Sequence, residues 1–181
     1  MAVPTRRSSN AVEGTIVFTD IVGFTEFTAT RGDAEALRLL ATQDRLLQSA
    51  LPDGARIVKE LGDGLLLWFP EPVPALHCAF SLLGGFESES TATGLPLWIR
   101  VGMHHGRALQ RGADVIGHDV NVASRIADVA APGEVLVSDN VHAGVDQHAA
   151  NVYFEELGPV VMKGIPEPIR LWRATRLAGS C

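Results

Sequence analysis

The sequence predicts an α+β protein, a mostly antiparallel sheet with helices packed against one side of it. Three observations lead there. Strand-like and helix-like stretches are intermixed along the whole chain. Two pairs of strand-like runs close around short turn-forming segments, LGDG at 61–64 and KGIPEP at 163–168, and so read as hairpins. No internal repeat, low-complexity segment or long linker divides the 181 residues, which suit one domain, and 46% hydrophobic residues supply its core.

The elements follow in order. GTIVFTD, residues 14–20, is the first strand, apolar up to its closing acid. Asp33 is placed to cap a helix running to about Ser49, with Leu39, Leu40, Leu46, Leu47 and Ala50 at helical spacing. Pro52, Asp53 and Gly54 mark a turn. Arg56–Leu61 and Leu65–Phe69 form the first hairpin. A second helix fits Pro74–Glu87, TATGLP reads as a loop, and Leu97–His104 as a strand. Gly117–Ala130 carries the stripe Val122, Ile126, Val129 and Ala130, and Pro132-Gly133 ends it. Glu134–Ser138 is a short strand, and Phe154–Met162 with Ile169–Ala174 make the last hairpin.

Bulk properties exclude several classes of function. The net charge is −6 and the pI about 5.5, which argues against general nucleic-acid binding. No apolar run approaches the ~20 residues a membrane helix needs. The opening MAVPTRRSSN has charge but no apolar stretch, so residues 1–12 read as a loose leader rather than a signal peptide. Cys78 and Cys181 do not make a disulfide framework and point to free thiols in a reducing cytoplasm.

Asp20 is the first residue with a chemical question attached. An isolated carboxylate at the end of a buried strand is costly, so it needs a partner or a metal. Asp63, at the tip of the first hairpin, meets it if the two strands are neighbours. Two carboxylates at one sheet edge suit a hard divalent ion, which takes oxygen ligands and often substrate phosphates. Gly23, Gly62 and Gly64 would let backbone and phosphate come close. Taken alone, Gly-Asp-Gly is also ordinary turn chemistry. Asn121 and Arg125, four apart in VNVASR, share one helical face. They suit ribose and phosphate at a helix start, or simply a solvated face.

Together FTDIVGFT, KELGD and DVIGHDVNVASR, in this order, resemble the catalytic domain of the class III adenylyl and guanylyl cyclases over residues 13–175, leaving 176–181 as a tail. The resemblance implies a ferredoxin-like βαββαβ core with added elements, and a homodimer with active sites across its interface. It implies that Asp20 and Asp63, assisted by the backbone of Ile21, bind two Mg²⁺ or Mn²⁺ ions. The reaction implied is in-line attack of the ribose 3′-hydroxyl of ATP on the α-phosphate, giving 3′,5′-cyclic AMP and pyrophosphate. Lys59 and Asp114 fall on the base-recognition positions. A lysine donor and an aspartate acceptor match adenine, and guanine reverses the pattern. Guanylyl cyclases typically carry a Glu and a small polar residue there. Asn121 would orient the ribose, Arg125 would stabilise charge on the α-phosphate, and Lys163 would meet the terminal phosphates.

Some features fall outside that pattern. Only seven residues separate Gly106 from Asp114, a short arm resembling one bacterial subgroup. Asp119 stands two residues before Asn121, and capping the helix is its simplest role. His104 and His105 point to opposite faces of a strand, which favours packing and solvent over a metal site. A guanylyl or relaxed-specificity cyclase is the alternative within enzymes, and a catalytically silent nucleotide-binding or dimerisation module is the alternative outside them. The signature of diguanylate cyclases is absent. The sequence reads either as a stand-alone catalytic unit or as a piece of a longer protein, and the expected location is the cytoplasm.

Overall fold

The computed structural model describes residues 10–93 and 97–177. The leader up to residue 9, the last three residues of TATGLP and Cys181 lie outside the described residues. The chain order is β1 (Ala11–Ile21), α1 (Phe24–Arg31), α2 (Asp33–Ala50), β2 (Arg56–Leu61), β3 (Gly64–Phe69), α3 (Pro72–Thr93) and β4 (Ile99–Arg111). Then come β5 (Asp114–Ile116), α4 (His118–Val129), β6 (Val135–Ser138), α5 (Asp139–Ala143), α6 (Gln147–Ala150), β7 (Val152–Val160) and β8 (Ile169–Arg176).

One sheet runs β2-β3-β1-β4-β6-β8-β7, with β5 folded back on β4. Among the described residues only the pairing of β4 with β6 is parallel. The order β2-β3-β1-β4 of the first four long strands, with α2 and α3 as connections, is the expected ferredoxin-like core. Both expected hairpins form.

Helices cover both faces of the sheet, where the sequence reading put them on one. Val17, Ile21, Leu65, Leu67 and Phe69 face α2 and α3. Ile16 and Leu66, their neighbours on the same strands, face Val120 and Ala123 of α4. Uninterrupted apolar runs such as LLLWF belong to strands covered on both sides, and that signal was present in the sequence. The main helix α2 begins after Gly32, which serves as its N-cap in place of the expected Asp33.

Contact between α4 and β4 is unusually close. A Cβ at Gly102 would collide with the backbone nitrogen and Cα of Ala127, and main chain cannot yield as a side chain can. Gly102→Ala is therefore expected to destabilise the fold by about 1–3 kcal/mol, lowering Tm by about 2–4 °C for each kcal/mol. An unchanged melting curve would contradict this packing.

Candidate active site

The end of β1 and the tip of the β2–β3 hairpin bring the expected carboxylates together. Thr19 pairs with Leu65, and Leu61 with Gly64 closes the hairpin. Gly64 sits so close to the carbonyl of Thr19 that a Cβ would stand 3.0 Å from it. Gly62 takes φ 71°, a left-handed turn conformation that glycine adopts without steric cost. Asp63 lies between these two glycines and projects toward Asp20. Its pKa is raised above the usual carboxylate value, first by burial, with the charge of Asp20 and a hydrogen bond shared with it adding to the rise. Backbone hydrogen bonds from Asp63 and Ile21 oppose the rise. Asp20, Asp63 and the backbone of Ile21 thus form one cluster.

Two further residues support this cluster and were not singled out from sequence. Arg100 lies opposite Asp20 in the β1–β4 register. Its Nη2 and Nε both reach Asp20 Oδ2, at 2.8 and 2.9 Å, and its Nη1 donates to the carbonyl of Asp128 at 3.2 Å. Gln43 of α2 is buried and donates its amide to the carbonyl of Asp63 at 3.3 Å. Both pairings depend on which strands and helices become neighbours. The only sequence hints were a cation near the start of β4 and a polar residue on the apolar face of α2.

The donor set fits a hard divalent cation. The charge of Asp20 repels that of Asp63, a repulsion that a dication relieves. Among the described residues no group of three or more His, Cys, Asp or Glu side chains converges. The ligands offered are thus few and all oxygen, as in sites that complete their coordination with water and substrate phosphates.

A second group forms elsewhere. Lys59 of β2 and Asp114 at the start of β5 meet at 2.8 Å although 55 residues apart. The Lys59 hydrogen bond, above all, holds the Asp114 carboxyl below its usual range. The β4–β5 hairpin makes this possible by turning at Gly112, φ 64°, and packing Ala108 and Val115 against Val58 and Leu66.

Asn121 and Arg125 lie on the outer side of α4, exposed, while Val120, Val122, Ala123, Ile126 and Ala127 are buried. Arg125 pairs with Asp128 at 2.8 Å. Lys163 is exposed in the β7–β8 turn, which Met162 and Ile165 pin against Val122 and Ile126 of α4.

Asp119 does not cap α4. The N-cap is Gly117, without a side-chain cap, and Asp119 Oδ2 instead accepts the backbone N–H of Arg107 at 2.7 Å. Its place in the second position of the helix aims the carboxylate at β4 rather than at the helix amides. His104 is buried against Ser138, with Nδ1 2.8 Å from the hydroxyl. His105 Nδ1 lies 2.9 Å from the hydroxyl of Thr15.

The cleft beside Asp20 holds about 140 Å³ and is lined by Thr19, Leu61, Gly64, Arg100, Ser124 and Asp128 among others. Lys59, Asp63, Asp114, Asn121 and Arg125 do not line it. Pockets that enclose a small ligand usually measure about 300–1,000 Å³.

Residues 7–174 match the family model described as the adenylate and guanylate cyclase catalytic domain. A pH-sensitive adenylate cyclase of Mycobacterium tuberculosis is 32% identical over 164 residues, which is 90% of this chain and 40% of that one. The chain thus spans two fifths of that relative's length. A crystal structure titled adenylate/guanylate cyclase/hydrolase from Silicibacter pomeroyi is 29% identical, with TM-score 0.79, covering 93% of this chain and 99% of that one. The adenylyl cyclase CyaB from P. aeruginosa shares the fold, with TM-score 0.81 at 21% identity over 93% of this chain and 96% of that one.

Proposed function

The chain belongs to the adenylate and guanylate cyclase catalytic-domain family, and on that premise we propose that it is an adenylyl cyclase, converting ATP to 3′,5′-cyclic AMP and pyrophosphate. The observation that carries the choice of base is the Lys59–Asp114 pair. It sets an ammonium donor and a carboxylate acceptor side by side, complementary to N1 and the 6-amino group of adenine. Guanine would leave both groups opposite like partners, at about 1–3 kcal/mol for each buried group left unpaired.

In the reaction the 3′-oxygen forms a bond to the α-phosphorus, the bond to the β-phosphate oxygen breaks, and the hydroxyl proton passes to solvent. Asp20 and Asp63, with the backbone of Ile21, are the residues that would hold Mg²⁺ or Mn²⁺. When bound, such ions acidify the hydroxyl and neutralise the phosphates. Asn121 orients the ribose. Arg125 faces the α-phosphate, where a planar guanidinium stabilises developing charge. Lys163 meets the terminal phosphates from the turn held against α4.

We read the site as shared across a two-fold homodimer. Supporting this, the cleft beside Asp20 is too small for ATP and Asn121 and Arg125 face outward. Apolar Leu61, Leu109 and Ile116, between 42% and 53% exposed, flank Asp63 and Asp114 in sequence. The reading sets the reaction in the cytoplasm, where ATP is supplied. No helix among the described residues is long and apolar enough to cross a membrane.

Purified protein given ATP or GTP with Mn²⁺ should release cyclic AMP, with the higher kcat/KM for ATP. Lys59→Glu with Asp114→Cys should reduce ATP use more than GTP use, lowering the ATP/GTP ratio about tenfold or more. An unchanged ratio would refute the base assignment. Equal use of the two nucleotides by the parent would make it a relaxed-specificity cyclase, and binding without product a silent module.

A further inference from the structure

Asp119 is the acid that the cyclase pattern leaves without a task, and its surroundings are closely built. The carboxylate lies between two consecutive residues of β4. Oδ2 accepts the Arg107 N–H at 2.7 Å, and a Cβ at Gly106 would collide with that same oxygen. Oδ1 stands 3.7 Å from Nε2 of His104, which is itself fixed to Ser138 of β6. Burial keeps the pKa of His104 low, Asp119 partly offsetting the effect, so a neutral ring backs the carboxylate near neutral pH. About two turns further along α4, Gly102 lets the helix backbone at Ala127 rest on β4. The helix is therefore fixed at both ends, by a hydrogen bond at Asp119 and by backbone contact at Gly102. Asn121 and Arg125 lie between the two anchors.

We infer that Asp119 is a positioning residue: its bond to the Arg107 amide sets the height and rotation at which α4 presents Asn121 and Arg125 to the nucleotide. The inference rests on the catalytic assignment of those two residues. A carboxylate suits the task because its short side chain has little freedom, and because an amide bond to an ionised acceptor is shorter and stronger than one to a neutral acceptor. The absence of a side chain at Gly106 gives the oxygen its place.

Displacement of a reacting group by about 1 Å can cost 10²-fold. Asp119→Ala should thus lower kcat by about 10–100-fold while KM for ATP changes by less than about threefold, because Lys59 and Asp114 still hold the base. Asp119→Asn keeps an oxygen for the Arg107 N–H and should retain at least about a third of the parental kcat. Gly106→Ala should resemble Asp119→Ala, since the new methyl takes the place of Oδ2. Adding Gly106→Ala to Asp119→Ala should cost much less than Gly106→Ala alone, the non-additivity that direct contact produces.

Hydrogen exchange gives a readout independent of turnover. The Arg107 amide and the first turn of α4 should exchange at least about tenfold faster in Asp119→Ala and near the parental rate in Asp119→Asn. An active parent in which Asp119→Ala keeps kcat, or in which the two Gly106→Ala costs are equal, would overturn the inference. If the parent makes no cyclic nucleotide, the catalytic reading fails, and the exchange result still decides whether Asp119 anchors the helix.

Discussion

Asp20→Ala and Asp63→Ala are each expected to lower cyclic AMP formation by at least about 1,000-fold at saturating ATP and Mn²⁺. The metal contribution in such sites is several kcal/mol, and each 1.36 kcal/mol is tenfold in rate. The two acids differ in what else they do. Asp20 is charge-balanced by Arg100, so its removal leaves a partly buried guanidinium without its partner and should also lower Tm. Asp63 is partly buried and crowded by Asp20, which raises its pKa in the folded state. An acid with a raised folded pKa contributes stability below its unfolded pKa and loses it as pH rises through the folded value. At neutral pH the ionised group therefore opposes folding. In chelator, Asp63→Asn should be at least as stable as the parent at neutral pH, and this advantage should vanish as pH falls below the ordinary carboxylate range. Loss of activity with gained stability is the mark of a group kept for chemistry. Near-parental turnover in a folded Asp63 variant would remove the metal assignment.

The sequence made the carboxylates legible because an acid closing an apolar strand is a local anomaly, and local anomalies survive without a structure. The hairpins were legible from turn chemistry, and the ferredoxin-like core from the resemblance. What was not legible is instructive. The helix Phe24–Arg31 escaped notice because it buries none of its residues fully and has almost no amphipathic pattern. The helix α3 runs six residues past Glu87 because ESESTAT, polar and loop-like on paper, bonds to its own helix. Ser88 reaches the carbonyl of Gly84 at 2.8 Å and Thr91 that of Glu87 at 3.0 Å. The strand β4 continues to Arg111 because its arm folds back as a hairpin, which a strand reading ended at His104 does not reveal. Short α6 is capped by Asp146, whose Oδ1 accepts from His148 and Ala149, too brief a signal to separate from a turn.

The site shows the same division. Lys59 and Asp114 were matched by position in a pattern, and their contact depends on the β4–β5 hairpin folding over the face that α4 shares. Arg100 and Gln43 act through register and packing, and neither stands out by type or neighbours. Asp119 was noticed as an exception and assigned to the nearest familiar role, a helix cap, because the competing acceptor site at Arg107 exists only once α4 lies on β4.

The second large effect concerns the shared site. Asp20 and Asp63 form one cluster within a chain, while Lys59 and Asp114 pair with each other and Asn121 and Arg125 lie exposed on α4. In a two-fold dimer each proposed site takes the carboxylates of one protomer and the other group from its partner. Asp20→Ala and Arg125→Ala homodimers should each be nearly inactive. A heterodimer of the two has one site with both defects and one with neither. With equal mixing and free exchange, half of the dimers are mixed, so about a quarter of the parental sites return. Mixing Asp20→Ala with Asp63→Ala places both defects on the same side of every site and should restore nothing.

Cyclic AMP formation by these two mixtures, with heterodimer content verified by differential tagging, tests the account most directly. The account predicts about a quarter of parental activity from Asp20→Ala with Arg125→Ala and background from Asp20→Ala with Asp63→Ala. Background from the first mixture despite verified heterodimers, or recovery in the second, would contradict it.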